Sequence, residues 1–264
     1  MGYLKGGAFL IEETEAKDIF IRSEFGEDQK MMLSATEDFN EREIRPVLMR
    51  FEEKDYALVE SLMRKAGELG LLGINVPEKY DGLGMGFNTG MLICEEISSL
   101  TGSIATAFGA HTGIGTLPIL LYGSEEQKLH YLPKIASGEW ISCYNLTEPD
   151  AGSDANSGKT KAVLTEDGEH YEITGQKIWI SNAGFADLFI VFARIEDDKN
   201  ITAFIVLNDP NNGIKLGEEE KKLGIHSSST RQVFFTDTIV PVENLLGERN
   251  GGFKIAMNAL NVGR

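Results

Sequence analysis

The hydrophobic pattern of this chain changes once, close to Gly138, and that change limits the folds available to it. Before this point, apolar residues recur three or four positions apart, which is the spacing of amphipathic helices. After it, short runs rich in Val, Ile, Phe and Thr alternate with Gly, Asn or Asp turns, as strands do. A block of helices followed by a block of strands predicts an α+β architecture in two domains.

The first half predicts a run of amphipathic helices. Pro46 is expected to kink or break the first of them, and Asp55 and Ser124 are placed to cap two others. No apolar stretch looks long enough to span a bilayer, and the start of the chain lacks an apolar signal core. The predicted helices cover residues 27–53, 56–69, 88–100, 102–122 and 124–135.

The second half predicts seven strands, with Asp167-Gly168 as a hairpin turn. After Pro241 the strand pattern stops, and a helical stripe follows from Gly252. Few partners for this helix are evident within the chain, so we expect a further domain to complete it. The predicted strands are Trp140–Leu146, Lys159–Leu164, His170–Ile173, Lys177–Ile180, Leu188–Ala193, Thr202–Leu207 and Gln232–Ile239. The predicted domains are an arm (1–26), a helical domain (27–139), a β domain (140–246) and an incomplete helical domain (247–264).

Charge and motif content exclude several classes of function. The formal net charge of −16 and a pI near 4.7 argue against nucleic acid or an anionic membrane as the main partner. The two cysteines and four histidines show no metal-ligand spacing, so no metal site is expected. No phosphate-binding loop, nucleophile elbow or dinucleotide fingerprint is found, which disfavours a nicotinamide-binding unit.

Two stretches carry residues suited to a ligand. Tyr144–Ser153 ends a predicted strand in a turn that contains Pro149 and Gly152. Such a turn exposes backbone N–H groups, and those of residues 150–154 suit an anion such as pyrophosphate. A bare surface turn has the same composition. Trp179 suits stacking on an aromatic ring, with Ser181 and Asn182 beside it, although a strand tryptophan is usually part of the core. The residues alone leave both alternatives open.

Longer motifs around these stretches carry a family resemblance. Tyr144–Asp154 (Tyr-Asn-Leu-Thr-Glu-Pro-Asp-Ala-Gly-Ser-Asp) and Gly175–Asn182 (Gly-Gln-Lys-Ile-Trp-Ile-Ser-Asn) closely resemble the two signatures of the acyl-CoA dehydrogenase family, in matching order and separation. The similarity extends through Leu69–Glu78, Gly123–Gly138 and Glu220–Ile225, over nearly the whole chain. The motif spacing and the Asn-x-Gly-Arg ending most resemble the very-long-chain branch.

The resemblance implies a fold and a cofactor. It implies an N-terminal helical domain, a β-barrel-like middle domain and the first helix of a C-terminal four-helix domain, with FAD between the last two. Trp179 would flank the isoalloxazine, Thr147 and Ser181 would bond its polar edge, and Ser153 would reach the pyrophosphate and the acyl-CoA. Asn261 and Arg264 match positions near the substrate. The positions that match FAD-binding segments are Tyr144, Asn145, Leu146, Thr147, Glu148, Pro149, Asp150, Ala151, Gly152, Ser153, Trp179, Ile180 and Ser181.

The resemblance also implies a reaction, the α,β-dehydrogenation of fatty acyl-CoA thioesters in β-oxidation. A carboxylate removes the α proton, and in most members it lies in the C-terminal domain. In others it directly precedes the arginine matched by Arg264, a position held here by Gly263. We therefore expect no catalytic residue in this chain, with the base beyond Arg264, and little activity or FAD retention. Glu148 is interpreted as a turn carboxylate rather than as the base.

The implied partners are an electron-transferring flavoprotein, as electron acceptor, and further copies of the full-length protein. The implied location is a bacterial cytoplasm or, as second choice, the mitochondrial matrix. An acyl-CoA oxidase that uses oxygen, or a non-catalytic module that binds acyl-CoA or a partner, are the alternatives. Acyl chain length is left open. The small residues Gly109, Ala110, Gly113 and Gly115 suit either room for an acyl chain or close helix packing.

Overall fold

The computed structural model describes residues 7–263, in which helices give way to strands between Ala136 and Ser142. The helices are α1 (Glu27–Phe39), α2 (Leu48–Glu52), α3 (Tyr56–Glu68), α4 (Gly86–Ser98), α5 (Gly102–Gly109), α6 (Leu117–Tyr122), α7 (Glu125–Ala136) and α8 (Gly252–Gly263). The strands are β1 (Ser142–Asn145), β2 (Lys161–Leu164), β3 (His170–Ser181), β4 (Leu188–Ile195), β5 (Thr202–Leu207), β6 (Ile214–Glu219), β7 (Thr230–Pro241) and β8 (Leu245–Leu246). The α+β prediction is confirmed, while the domain limits stay predictions.

The first predicted helix is interrupted, as its proline indicated. A π-helical turn (Asn40–Ile44) and a 3-10 turn containing Pro46 (Arg45–Val47) separate α1 from α2. The caps also form: Asp55 Oδ1 accepts from the N–H of Leu58 at 3.0 Å, and Ser124 Oγ accepts from that of Gln127 at 3.1 Å. These caps satisfy N–H groups that have no partner within the helix.

The predicted helix over 102–122 is a composite of α5, a π-helical turn (Ala110–Gly115) and α6. By length and composition, Gly102–Tyr122 is able to cross a membrane, so the expectation that no stretch qualifies is wrong. Of its most apolar window, 56% is buried inside the protein, as in the core helix of a folded domain. The π turn lies against β1, because Gly115 has no Cβ, which would lie 2.3 Å from Ser142 Oγ.

The strands form one sheet in the order β6-β7-β3-β2-β4-β5-β8, with β1 added in parallel beside β4. Every strand from β1 to β7 contributes to one buried cluster, so the sheet wraps around its own core as in a barrel. The opposite face of β4 and β5 is also buried, against α6, α7 and α8. Ile255, Ala256 and Ala259 of α8 are almost fully buried there, so the expectation that α8 has few partners is wrong.

Two strand predictions need correction. His170–Ile173 and Lys177–Ile180 belong to a single strand, β3, because Gly175 lies within it at an irregularity and does not end it. A Cβ at Gly175 would lie 2.4 Å from Thr160 Oγ1, so the glycine permits close approach of β2 and β3. The sequence prediction also missed β6 and β8, since neither shows a run of β-branched and aromatic residues.

Candidate functional site

A cleft of about 300 Å³ opens where the turn after β1, the end of β3, the π turn and α8 meet. This volume is at the lower end of the range for small-molecule sites. It is lined by apolar side chains and by three hydroxyl-bearing residues, Thr147, Ser153 and Ser181, together with Tyr144. The lining residues are Ala110, Ile114, Tyr144, Leu146, Thr147, Gly152, Ser153, Ala155, Trp179, Ile180, Ser181, Met257 and Leu260.

The turn after β1 presents free backbone donors to this cleft. Glu148 and Ala151 exchange two backbone hydrogen bonds, at 3.2 and 3.1 Å, and so close the turn. Among residues 7–263, the N–H groups of Gly152 and Ser153 have no acceptor. A Cβ at Gly152 would meet nothing within 4 Å, so the space in front of it is open. Adjacent free amides of this kind suit an anion.

Trp179 is held in an unusual conformation at the cleft. Its φ is +57°, and it lies in the irregular part of β3 between Lys177 and Ile180. For a bulky residue this left-handed conformation costs on the order of 1 kcal/mol. Its exposed fraction is 63%, so core packing does not explain the conformation. Strained residues cluster at active sites and ligand-binding segments, so Trp179 is a candidate for ligand contact.

Three hydroxyl groups share the cleft with the indole. Thr147, Ser153 and Ser181 line it, and within the described part of the chain none of their hydroxyls has a hydrogen-bond partner. Together with the exposed indole and the free amides, they form a donor set suited to a ligand with a flat ring and an anionic group. A dinucleotide such as FAD has both features.

A buried ion pair lies behind the turn. Lys177 Nζ donates to Glu148 Oε1 at 2.7 Å, and both side chains are almost fully buried. Burial raises the pKa of Glu148, but the Lys177 ammonium and hydrogen bonds from Lys177, Thr160 and Lys159 outweigh it and leave that pKa lowered. Burial lowers the pKa of Lys177 to about 8, opposed by Glu148. Both groups are therefore charged at neutral pH.

Comparison with known proteins decides the family. Residues 26–139 match the model of the acyl-CoA dehydrogenase N-terminal domain, and residues 143–238 match that of the middle domain. The chain belongs to the acyl-CoA dehydrogenase family. The predicted family and the predicted α+β fold are thereby confirmed.

Relatives within the acyl-CoA dehydrogenase family are longer than this chain. A probable acyl-CoA dehydrogenase of Bacillus subtilis is 48% identical over 98% of the chain, which covers 43% of that protein. A bovine mitochondrial enzyme specific for very long chains is 41% identical over 84% of the chain, which covers 36% of it. A crystal structure of a Bacillus anthracis acyl-CoA dehydrogenase complexed with FAD matches with a TM-score of 0.92 and 47% identity, over 98% of this chain and 45% of that one. The chain thus spans less than half the length of these relatives.

Only some of the residues predicted to bind FAD line the cleft. Tyr144, Leu146, Thr147, Gly152, Ser153, Trp179, Ile180 and Ser181 line the cleft. Asn145 is buried with its amide directed to Cys143 Sγ, Glu148 pairs with Lys177, and Asp150 pairs with Lys159 at 2.7 Å. Pro149 and Ala151 complete the turn without lining the cleft.

Of the predicted substrate residues, only Ser153 lies in the cleft. Asn261 is exposed on α8 and does not line it, and Arg264 lies outside the described residues. Met257 and Leu260 do line it. The sequence marked both as an apolar helical stripe, but that pattern does not distinguish a residue facing a cleft from one facing the core.

A second cavity, of about 220 Å³ and mostly apolar, lies on the other side of the π turn. It is bounded by residues 71–76, α4, the 108–120 stretch and Val262. Gly109 and Gly113 line it, and a Cβ at either position would meet nothing within 4 Å. Gly115, by contrast, is pressed against Ser142 of β1, so the small residues of this stretch leave open space at two positions and allow close packing at a third.

Proposed function

We propose that this chain forms one side of the FAD and acyl-CoA site of an acyl-CoA dehydrogenase. The observation that carries the proposal is the cleft, where the strained, exposed Trp179 faces three unpaired hydroxyls and two free amides. The indole suits the flat isoalloxazine, the Thr147 and Ser181 hydroxyls suit its polar edge, and the Gly152 and Ser153 amides suit the pyrophosphate.

Bound FAD would supply the hydride acceptor for α,β-dehydrogenation of the thioester. The chain's own residues would bind this cofactor and orient it. Trp179 would cover one face of the bound ring and keep water from it, while the hydroxyls of Thr147 and Ser181 would hydrogen-bond to its polar edge and so orient it. Tyr144 Oη donates to the carbonyl of Ala256 at 3.2 Å, which ties β1 to α8 and so fixes the apolar wall of the cleft.

Proton abstraction is assigned to a group outside the described residues. Among residues 7–263, no Asp or Glu side chain lines the cleft, and Glu148 is engaged behind it by Lys177 and two backbone N–H groups. The 264-residue chain alone therefore has little dehydrogenase activity in this proposal, and it holds FAD weakly because only one side of the site is present.

The substrate is proposed to be a fatty acyl-CoA. Its thioester lies beside Ser153, and its apolar tail enters the second cavity, where Gly109 and Gly113 leave room. By analogy with the family, electrons pass to an electron-transferring flavoprotein, and the full-length protein is a homo-oligomer. The assigned location is a bacterial cytoplasm or, as second choice, the mitochondrial matrix.

Titration with FAD tests the proposal. We expect saturable quenching of both flavin and Trp179 fluorescence, and Ser153→Ala to weaken binding, because its hydroxyl has no other partner in the described structure. Ser98→Ala is the control, since that hydroxyl bonds to the carbonyl of Cys94 on α4, outside the cleft. Absence of saturable FAD binding contradicts the proposal, and rapid dye reduction with acyl-CoA contradicts the assignment of the base elsewhere.

Two further assays separate the alternatives. Hydrogen peroxide release by the full-length protein on addition of acyl-CoA indicates an oxidase. Acyl-CoA binding by calorimetry that is equally tight without FAD indicates a non-catalytic module.

A further inference from the structure

The buried pair of Lys177 and Glu148 has a complete set of hydrogen bonds. The ammonium of Lys177 donates to Glu148 Oε1 at 2.7 Å, to the carbonyl of Leu146 at 3.1 Å and to that of Phe192 at 2.6 Å. These three acceptors match its three donors. The carboxylate of Glu148 also accepts from the N–H groups of Lys159 and Thr160, at 2.5 and 3.1 Å. Neither charge is left uncompensated.

The pair fixes both polar walls of the cleft from behind. Lys177 binds the residues on either side of Thr147, and the N–H of Ile178 donates to the carbonyl of Thr147 at 2.9 Å. Three consecutive residues of the turn are therefore attached to two consecutive residues of β3. Trp179 follows directly, in its left-handed conformation. The distance between the Thr147 hydroxyl and the indole thus depends on this link.

Energetics favour a geometric role over a purely stabilising one. Removing two charges from water costs free energy that their mutual attraction barely repays, so a buried ion pair adds little net stability. Well-packed apolar replacements of such pairs are often neutral or stabilising. A buried pair does, however, impose one geometry on the segments that it joins, because every donor and acceptor is directional. Here the joined segments are the two walls of the candidate site.

We propose that Lys177 and Glu148 are positioning residues that hold the Thr147 turn and the Trp179 bulge in the arrangement that binds the flavin. This inference rests on the proposed function for its ligand, but its geometric part is independent of FAD. Neither residue lines the cleft, so each acts through its neighbours. Loss of the link moves the Thr147 hydroxyl relative to the indole, and misplacement by about 1 Å costs binding and rate steeply.

Glu148→Gln tests the inference, because it removes the negative charge and places an NH2 donor against either the Lys177 ammonium or the backbone N–H of Lys159, so that one of these donors loses its acceptor. Asp187→Asn is the matched control: its carboxylate accepts from the N–H of Ile141 at 2.8 Å and pairs with Arg64 at 3.3 Å, away from the cleft. Urea unfolding first establishes the conditions under which each variant is folded.

Without FAD, amide hydrogen exchange at Ile178 and acrylamide quenching of Trp179 report on the link. We expect Glu148→Gln to accelerate Ile178 exchange about ten-fold or more, and Asp187→Asn to leave it unchanged once corrected for global stability. Equal exchange in folded wild type and Glu148→Gln overturns the positioning role.

With FAD, we expect the Kd of Glu148→Gln to rise about ten-fold or more, while that of the control stays near the wild-type value. Glu148→Asp restores the charge with a shorter side chain, and we expect it to recover stability better than affinity. Failure of the wild-type chain to bind FAD overturns the proposed function alone, since the exchange measurement still decides the geometric role. An unchanged Kd and visible spectrum in Glu148→Gln overturns the inference alone.

Discussion

The strain at Trp179 predicts an inverted order of stability for two substitutions. In an ordinary strand, glycine is less stable than alanine by about 0.5–1 kcal/mol, because it loses more backbone freedom on folding. At φ +57°, alanine keeps the left-handed conformation and its cost, and glycine relieves it. Relief of a left-handed cost of about 1–2 kcal/mol, less the entropy cost of glycine, leaves a net gain, and we expect Trp179→Gly to be more stable than Trp179→Ala by about 0.5–1 kcal/mol.

The exposure of the indole also predicts how much stability Trp179→Ala loses relative to the wild type. With 63% of the residue exposed, folding covers roughly 80 Å² of it, which is worth about 2 kcal/mol at about 25 cal/mol per Å². Trp179→Ala should therefore cost about 2 kcal/mol, whereas a fully buried tryptophan costs about 3–5 kcal/mol.

Urea unfolding followed by circular dichroism measures both differences without relying on tryptophan fluorescence. Val163 on β2 is the control position, because it is partly exposed in a strand and has no positive φ. There, alanine should be more stable than glycine. If Trp179→Ala equals or exceeds Trp179→Gly in stability, or costs more than about 3 kcal/mol, the interpretation of a strained, exposed indole is refuted.

Three other outcomes are expected. Asp55→Ala should lower the free energy of unfolding, measured by urea denaturation, by about 1 kcal/mol, because the α3 cap is lost. Asp55→Asn should retain most of the wild-type stability, because asparagine also caps helices. Gly67→Ala should destabilise by about 2 kcal/mol or more, because its Cβ would lie 2.3 Å from a backbone carbonyl oxygen, whereas Gly109→Ala, with open space, should be neutral or stabilising. Burial lowers the pKa of His111 to about 4 from 6.5, so the stability provided by its neutral ring is present above the unfolded pKa and is lost as pH falls through the folded one. Unfolding at about pH 7 and about pH 5 should differ by about 2 kcal/mol more in wild type than in His111→Asn.

Local signals allowed much of the fold to be predicted. The change of period near Gly138 separates two kinds of secondary structure, and the caps at Asp55 and Ser124 begin helices within one residue of their predicted start. Each of these features depends on neighbours a few positions away in the chain. Gly175 shows where such reasoning fails, because its role is to admit Thr160, the residue just before β2, and nothing near Gly175 in sequence reveals that contact.

The candidate site was predicted from motif resemblance more than from residue chemistry. Trp179 has the residue type of a core strand position, and only its φ and exposure distinguish it from one. Lys177, a charged residue in the same strand, had no predicted role, since its acceptors come from two other segments of the chain. A lysine inside an otherwise apolar strand is a signal for a charged partner, because lysine is almost never fully buried unless it is paired.

Strand geometry explains which motif residues reach the cleft. Side chains alternate between the faces of a regular strand, so Tyr144 and Leu146 line the cleft while Asn145, between them, is directed to the core. Trp179, Ile180 and Ser181 all line it although they are consecutive, which a regular strand does not permit. The irregularity in β3 and the positive φ of Trp179 make this possible by turning one residue out of alternation. The Gly175–Asn182 motif thus contains a break in strand alternation at Trp179, and in the proposed positioning role the buried pair of Lys177 and Glu148 holds that break in place.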